Sequence, residues 1–223
     1  MVLPKGLGGE LLYAAALFAY VAAVIYATKH TYGAMVARGL SEEGAVHVNR
    51  KLIHILAGGV VALLVPHLFS SPAVPSALAV SSGLALWAVR RRGRMRWFQV
   101  DENAYEASFC VSWGAVLFAS WTLLGSPTYG IVPVLFMSFG DAATGIVRVA
   151  IHGRRSKSWW GSLAMFAVCL LIAWLAVGPW GALPAAVSSL VERLELRPVG
   201  DDAAIGAATL ASLLALRYLG LVG

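Results

Sequence analysis

Residues 138–166, SFGDAATGIVRVAIHGRRSKSWWGSLAMF, hold the pattern from which the rest of the chain can be read. An acid, Asp141, stands inside an apolar run. A short basic loop with Arg154, Arg155 and Lys157 follows, and Trp159-Trp160-Gly161-Ser162 leads into a second apolar run. An ionised carboxylate at membrane depth costs several kcal/mol unless it is paired or hydrated, so such acids mark functional sites by default. Here the candidate partners lie only a few helical turns further on.

The whole chain is built to match. It is 59% hydrophobic and 13% charged, with a mean hydropathy of +0.76, too apolar for a soluble domain that must cover its core with polar surface. Stretches near the length that crosses a ~30 Å hydrocarbon core recur along it. The expected fold is all-α: a polytopic membrane helical bundle of about seven to eight transmembrane helices with short loops, residues 1–223 forming a single integral membrane domain. The apolar stretches run over Leu11–Thr28, Leu52–Phe69, Ala73–Val89, Ala107–Leu124, from Tyr129 through Asp141, Gly161–Val177 and Ala203–Leu219. The piece from Pro179 to Leu190 is barely half a span and reads either as a short tilted helix or as a re-entrant one. Only Lys5 precedes the first stretch while Lys29 and His30 follow it, the reverse of a signal peptide, which points to a retained span. Cys110 and Cys169 fall inside apolar stretches and read as buried free thiols.

Charge alternates from loop to loop. Apart from Lys5 and Arg217, every Lys and Arg falls in one of four charged loops, and the loops between are short and made of Gly, Ser and Pro. Clustered cations in such a chain mark cytoplasmic loops, so the net charge of +6 does not indicate a nucleic-acid partner, and the chemistry is expected to face the cytoplasm.

Three groups of residues carry candidate chemistry. Asp141 reads as a ligand for Mg²⁺, which prefers hard oxygen donors and shares its shell with substrate phosphates; the alternative is a structural acid paired with an Arg of another helix. Gly140 permits a kink or close helix approach, and Thr144 shares the face of Asp141 and adds a hydroxyl. In the following loop Arg148, Arg154, Arg155, Lys157 and Ser158 suit phosphate oxygens, and Gly161-Ser162 at a helix start would aim free amides at an anion. Positive-inside anchoring explains Arg154 and Arg155 as well, and Trp159 and Trp160 read either as interfacial belt residues or as a stacking platform for a base. The third group is HVNRKLIHILAGG at 47–59, where His47, Lys51 and His54 at i, i+4 and i+7 share a helical face, with Arg50 four residues before His54. It reads as a second basic wall for phosphate with His54 as a general base, or as an anchored helix start. With no third ligand spaced nearby, zinc is not expected there. Asp201-Asp202, with Glu192 before them, either cap the last helix or complete a metal site with Asp141. The run Arg90–Arg96 reads as charge at the lipid surface. No phosphate-binding GxxxxGK[ST] loop, GxSxG elbow or HExxH helix is present.

The combination of Arg50-Lys51 with His54, Gly140-Asp141 with Gly145, and Lys157-Ser158 with Gly161-Ser162 resembles the dolichol kinase and phytol kinase family, which shares motifs with phosphatidate cytidylyltransferases. The acid-rich stretch from Glu192 to Asp202 sits where that family keeps an acidic motif. Two positions depart from the pattern: Trp160 stands where Glu is frequent, and Ala203 follows Asp202 where Asn is frequent. The resemblance implies a kinase that uses CTP as co-substrate and Mg²⁺ as cofactor to phosphorylate a membrane polyprenol or related lipid alcohol. Asp141 would help hold the metal, and Lys157, Arg154 and Arg50 would cradle phosphates. His54 or a carboxylate would take the hydroxyl proton, and the alcohol would arrive sideways from the inner leaflet. Two other classes compete: a cytidylyltransferase acting on a lipid phosphate, and a small transporter using Asp141 as a relay. Against a transporter stand the lack of a visible inverted repeat and of a partner for Asp141 deep in another span.

Overall fold

The computed structural model describes residues 6–100, 104–153, 158–194 and 201–222. Among these residues all regular structure is helical. Ten α-helices occur: α1 (Leu7–Ala37), α2 (Glu42–Ile53), α3 (Val60–Leu68), α4 (Ala73–Arg90), α5 (Tyr105–Leu124), α6 (Pro127–Leu135), α7 (Asp141–His152), α8 (Trp159–Val177), α9 (Ala182–Leu194) and α10 (Asp201–Tyr218). Six helical stretches are long and apolar enough to cross a membrane: Leu7–Ala37, Glu42–Leu68, Ala73–Arg90, Tyr105–Leu124, Pro127–His152 and Trp159–Leu194. Their outer faces are apolar. Leu12 is 68% exposed and Leu175 79%, a perimeter suited to lipid rather than water. The chain is an integral membrane protein of the expected all-α type.

Local chemistry sets where the helices begin and end. The Ser41 side chain accepts a hydrogen bond from the Gly44 amide (3.2 Å), with Glu42 and Glu43 in the first turn of α2 where the helix dipole favours acids. Ser126 caps α6 by accepting from the Tyr129 amide, and Pro127 at the first helical position needs no amide partner. Gly125 and Gly153 end α5 and α7 with positive φ (62° and 67°).

Pro127–His152 is the most buried of the six stretches and forms the axis of the bundle; its Phe136 and Met137 are fully buried in a core that Met165 and Cys169 of α8 and Ile205 and Leu213 of α10 share. The segment after α8 turns at Gly178 and passes through one 3₁₀ turn, Gly178–Gly181, into α9. The Arg193 guanidinium near the end of α9 lies 3.6 Å from the ring of Trp159 at the start of α8. Thus α9 returns along α8 to the end where α8 began. Of the two readings of Pro179–Leu190, the short helix is the one observed.

Two charges, Glu10 and Arg217, have structural work at the far end. Buried Glu10 accepts from the Ser70 amide (2.8 Å) and from the Ser70 hydroxyl, pinning α1 to the turn between α3 and α4. Arg217 donates to the carbonyls of Leu123 and Leu124, the last of α5, which otherwise lack helical partners.

Candidate active site

Two of the spanning stretches break in the middle. A π-helical turn, His54–Gly59, separates α2 from α3, and another, Phe136–Gly140, separates α6 from α7; the two turns pack against each other. The widened turn re-aims carbonyls that then accept from neighbouring side chains: Leu56 O from the Tyr20 hydroxyl (3.2 Å) and Gly58 O from the Trp113 indole (3.3 Å). Such turns occur frequently at functional sites. Here the first residue of one turn is His54, and the residue immediately after the other is Asp141.

These two residues meet. His54 Nδ1 lies 3.2 Å from Asp141 Oδ2, and the Lys51 ammonium donates to the same oxygen. A carboxylate has only acceptors, so Nδ1 carries the proton and Nε2 is left as the acceptor. The imidazole is stacked on Phe109, with centroids 3.9 Å apart and planes 14° off parallel. Asp202, at the start of α10, joins them: His54, Asp141 and Asp202 each offer a ligand atom within 4.8 Å of the others. All four side chains are buried.

A second ion pair borders this cluster. Arg148 of α7 donates to both Glu192 oxygens of α9, at 2.8 and 3.0 Å, the fork geometry in which Arg–carboxylate pairs are strongest. Arg148 also crosses the start of α8, where a Cβ on Gly161 would fall 2.5 Å from its Nε, so glycine is required there. Gly145 plays the same part for Lys51: a Cβ would lie 2.5 Å from the Lys51 Cε. Together His47, Arg50, Lys51, His54, Asp141, Thr144, Arg148, Glu192, Asp201 and Asp202 line one small polar pocket.

The predicted face of His47, Lys51 and His54 is thus assembled as expected, with Arg50, Asp141, Thr144 and Arg148. Asp202 belongs to the metal-competent group, whereas Asp201 only lines the pocket. Of the two histidines only His54 joins that group, whose other ligand atoms come from Asp141 of α7 and Asp202 of α10. Likewise, Lys51 and His54 are partners for Asp141 from another span, so that objection to a transporter falls.

Other expected residues do different work. Thr144 donates to Gly140 O (3.2 Å) and Gly161 O (3.3 Å), tying α7 to α8. Gly140 packs against Cys169 and Met165 rather than facing the pocket. The Ser158 hydroxyl caps α8 by accepting from the Gly161 amide, and the Ser162 amide donates to Ser158 O, so neither amide is free for an anion in this conformation. Trp159 and Trp160 are 68% and 61% exposed and do not line the pocket, the behaviour of belt residues. Arg154, Arg155 and Lys157 lie outside the described residues.

Beside the polar pocket is a much larger apolar chamber of about 410 Å³, walled by α1, the α2–α3 stretch, α4 and α5. Arg50 and His54 belong to both cavities. At the chamber's charged end sits Glu106, 8% exposed, which sequence reading missed because it follows the arginine run and looks like loop charge. Its Oε1 accepts from Arg90 (3.0 Å) and from Gln99 (2.8 Å). Arg90 is therefore a structural residue rather than lipid-surface charge.

No family model, characterised protein or solved structure matches the chain. The donor set can be judged by its own chemistry. Two buried carboxylates converging from different helices, with one imidazole, suit a hard divalent cation that completes its shell with phosphate oxygens.

Proposed function

We propose that this chain is a CTP-dependent kinase that phosphorylates a membrane polyprenol or isoprenoid alcohol at the cytoplasmic face with Mg²⁺. The observation that carries the reading is the contact between two unlike cavities. A polar pocket rich in acids and bases and an apolar chamber between helices share Arg50 and His54 as their common wall. Phosphoryl transfer to a lipid needs one place for a charged donor and another for an apolar acceptor, with the reacting atoms at the boundary.

Asp141 and Asp202 are the residues that would hold Mg²⁺, with the His54 imidazole beside them. Bound there, it supplies charge neutralisation on the phosphate oxygens. Lys51, Arg50 and Arg148 add fixed positive charge around the same pocket. By the resemblance, Lys157, Arg154 and Arg155 would add more from the loop between α7 and α8. His54 is fixed from both sides, by its Nδ1–H to Asp141 and by the Phe109 ring. A base at the boundary, His54 through Nε2 or a carboxylate, takes the hydroxyl proton. The positive-inside rule, applied to the charged loops, supports an orientation in which this end of the bundle faces the cytoplasm, where CTP is available.

The test is a Mg²⁺-dependent assay of purified protein with γ-labelled CTP and a panel of lipid alcohols. Label in the lipid is the expected result, and the accepting alcohol identifies the substrate. Pyrophosphate release with a lipid phosphate, and no labelled lipid, would replace the kinase with a cytidylyltransferase. Silence in both arms would sink the reading and return Asp141 to a relay in a transporter.

A further inference from the structure

Glu106, at the edge of the apolar chamber, carries a buried acceptor atom that the described residues leave unanswered. Oε1 holds Arg90 and Gln99, but Oε2 is buried and has no hydrogen-bond partner among the described residues. A buried acceptor without a donor costs about 1–3 kcal/mol, more when charged, so native proteins rarely keep one without a reason. Much of the chamber wall is apolar, Ala57, Leu78 and Leu86 among it, and two of its donors are engaged elsewhere, the Trp113 indole with Gly58 O and the Ser82 hydroxyl with Leu78 O.

The chamber is also open on one side. Phe18 and Tyr26 of α1 and Val89 of α4 line it, yet they are 53%, 67% and 48% exposed on the lipid-facing perimeter. An apolar chain therefore has a lateral way in between α1 and α4 that never crosses water.

We infer that the chamber is a binding site for a single-chain lipid alcohol, whose hydroxyl donates to Glu106 Oε2 while its chain leaves between α1 and α4. The chemistry excludes the other headgroups. A carboxylate or phosphate would meet the Glu106 charge, and an ammonium would meet the Arg90 guanidinium already bound to that carboxylate and the Arg50 that lines the same chamber. A neutral donor satisfies the orphan oxygen and adds no charge. With its O–H directed at Glu106, the alcohol oxygen keeps its lone pairs for the boundary formed by Arg50 and His54. Glu106 then becomes the carboxylate to which the acceptor's proton is first bonded. As an acceptor site this rests on the kinase reading above, but as a binding site it stands without it.

The experiment measures equilibrium binding of tritiated geranylgeraniol to the full-length protein in detergent, without nucleotide, in competition with unlabelled geranylgeraniol or its methyl ether. The ether keeps the chain and the oxygen but has no donor. The wild type should prefer the alcohol by roughly tenfold or more, the range of a hydrogen bond to a charged acceptor. Glu106→Gln should lose most of that preference, and Ala22→Trp, placed at an exposed chamber-lining position on α1, should weaken alcohol and ether together. Equal binding of alcohol and ether by the wild type overturns the assignment and requires no variant to fold. So does a Glu106→Gln protein with its preference intact, an Ala22→Trp protein that binds both as before, or geranylgeranylamine binding as tightly as the alcohol. The kinase reading fails on its own terms if the preference is present but no label passes from CTP.

Discussion

The two buried ion pairs of the polar pocket are built on opposite principles. Arg148 and Glu192 form a closed pair: both carboxylate oxygens meet the guanidinium fork, and Arg148 is wedged where only Gly161 leaves room. Asp141 is shared. Lys51 and His54 both address one of its oxygens, and the Asp202 carboxylate stands close by. A closed pair fixes helices, because removing either member strands the other charge. A shared carboxylate, with a second acid in reserve, can exchange partners without leaving a cation unanswered, which is the behaviour a site for a metal and phosphates requires. The difference separates scaffold from chemistry within a single pocket.

The comparison breaks first at Asp141. In Asp141→Asn, phosphoryl transfer should fall by about a hundred- to a thousandfold, while the protein stays folded, because Asp202 remains within reach of Lys51. A Mg²⁺-dependent transfer assay beside a thermal-unfolding scan in detergent reads both quantities. An active Asp141→Asn protein, or one that is inactive because it has unfolded, would erase the distinction.

Glu192 should give the inverse pattern. Glu192→Gln leaves the Arg148 fork without a counter-charge and should lower stability by about 3–5 kcal/mol. Replacing both members, as in Arg148→Met with Glu192→Leu, should recover most of that loss, since an apolar pair of similar volume avoids the desolvation penalty altogether. Urea titration of the three proteins checks this. If the double variant is no more stable than the single one, the pair is not a clasp and Arg148 is held by something else.

How much of this was legible follows the same division. Asp141 stood out because a charge in an apolar run is costly, and the face of His47, Lys51 and His54 stood out because helical spacing is local. What was not legible depends on distance in sequence. Glu192 lies 44 residues from Arg148, and nothing near either names the other. Asp202 and Asp201 are adjacent and chemically identical, so only the packing of α10 decides that Asp202 turns toward Asp141. The π turns change no residue types, though Gly58-Gly59 and Gly140 hinted at close approach. Glu106 was hidden by its neighbourhood: an acid after an arginine run reads as solvated charge until α5 is seen to begin at Tyr105 and to carry it inward. Its only signal was an acid in the first turn of an apolar helix with Phe109 and Cys110 one turn on. Arg154, Arg155 and Lys157, readable as phosphate ligands in sequence, lie outside the described residues and stay expectations of the sequence and the resemblance.

The smallest expected effect probes the wall between the cavities. His54 is held on the polar side by Asp141 and on the apolar side by the Phe109 ring, and the two restraints are unequal. Stacked aromatic pairs contribute about 0.5–1.5 kcal/mol beyond their buried area, less than a charge-assisted hydrogen bond. Phe109→Leu keeps the chamber wall apolar and removes only the stack, so kcat should drop by roughly two- to tenfold, from the energy range of such pairs. The KM for CTP should not move, because no phosphate-facing group changes. His54→Ala should cost about a hundredfold or more if the imidazole takes the proton, and much less if Glu106 receives it. The ratio of the two losses therefore reports which side of the wall performs the proton transfer. A Phe109→Leu protein with unchanged kcat would mean that Asp141 alone orients the ring and that the apolar chamber contributes space but no alignment.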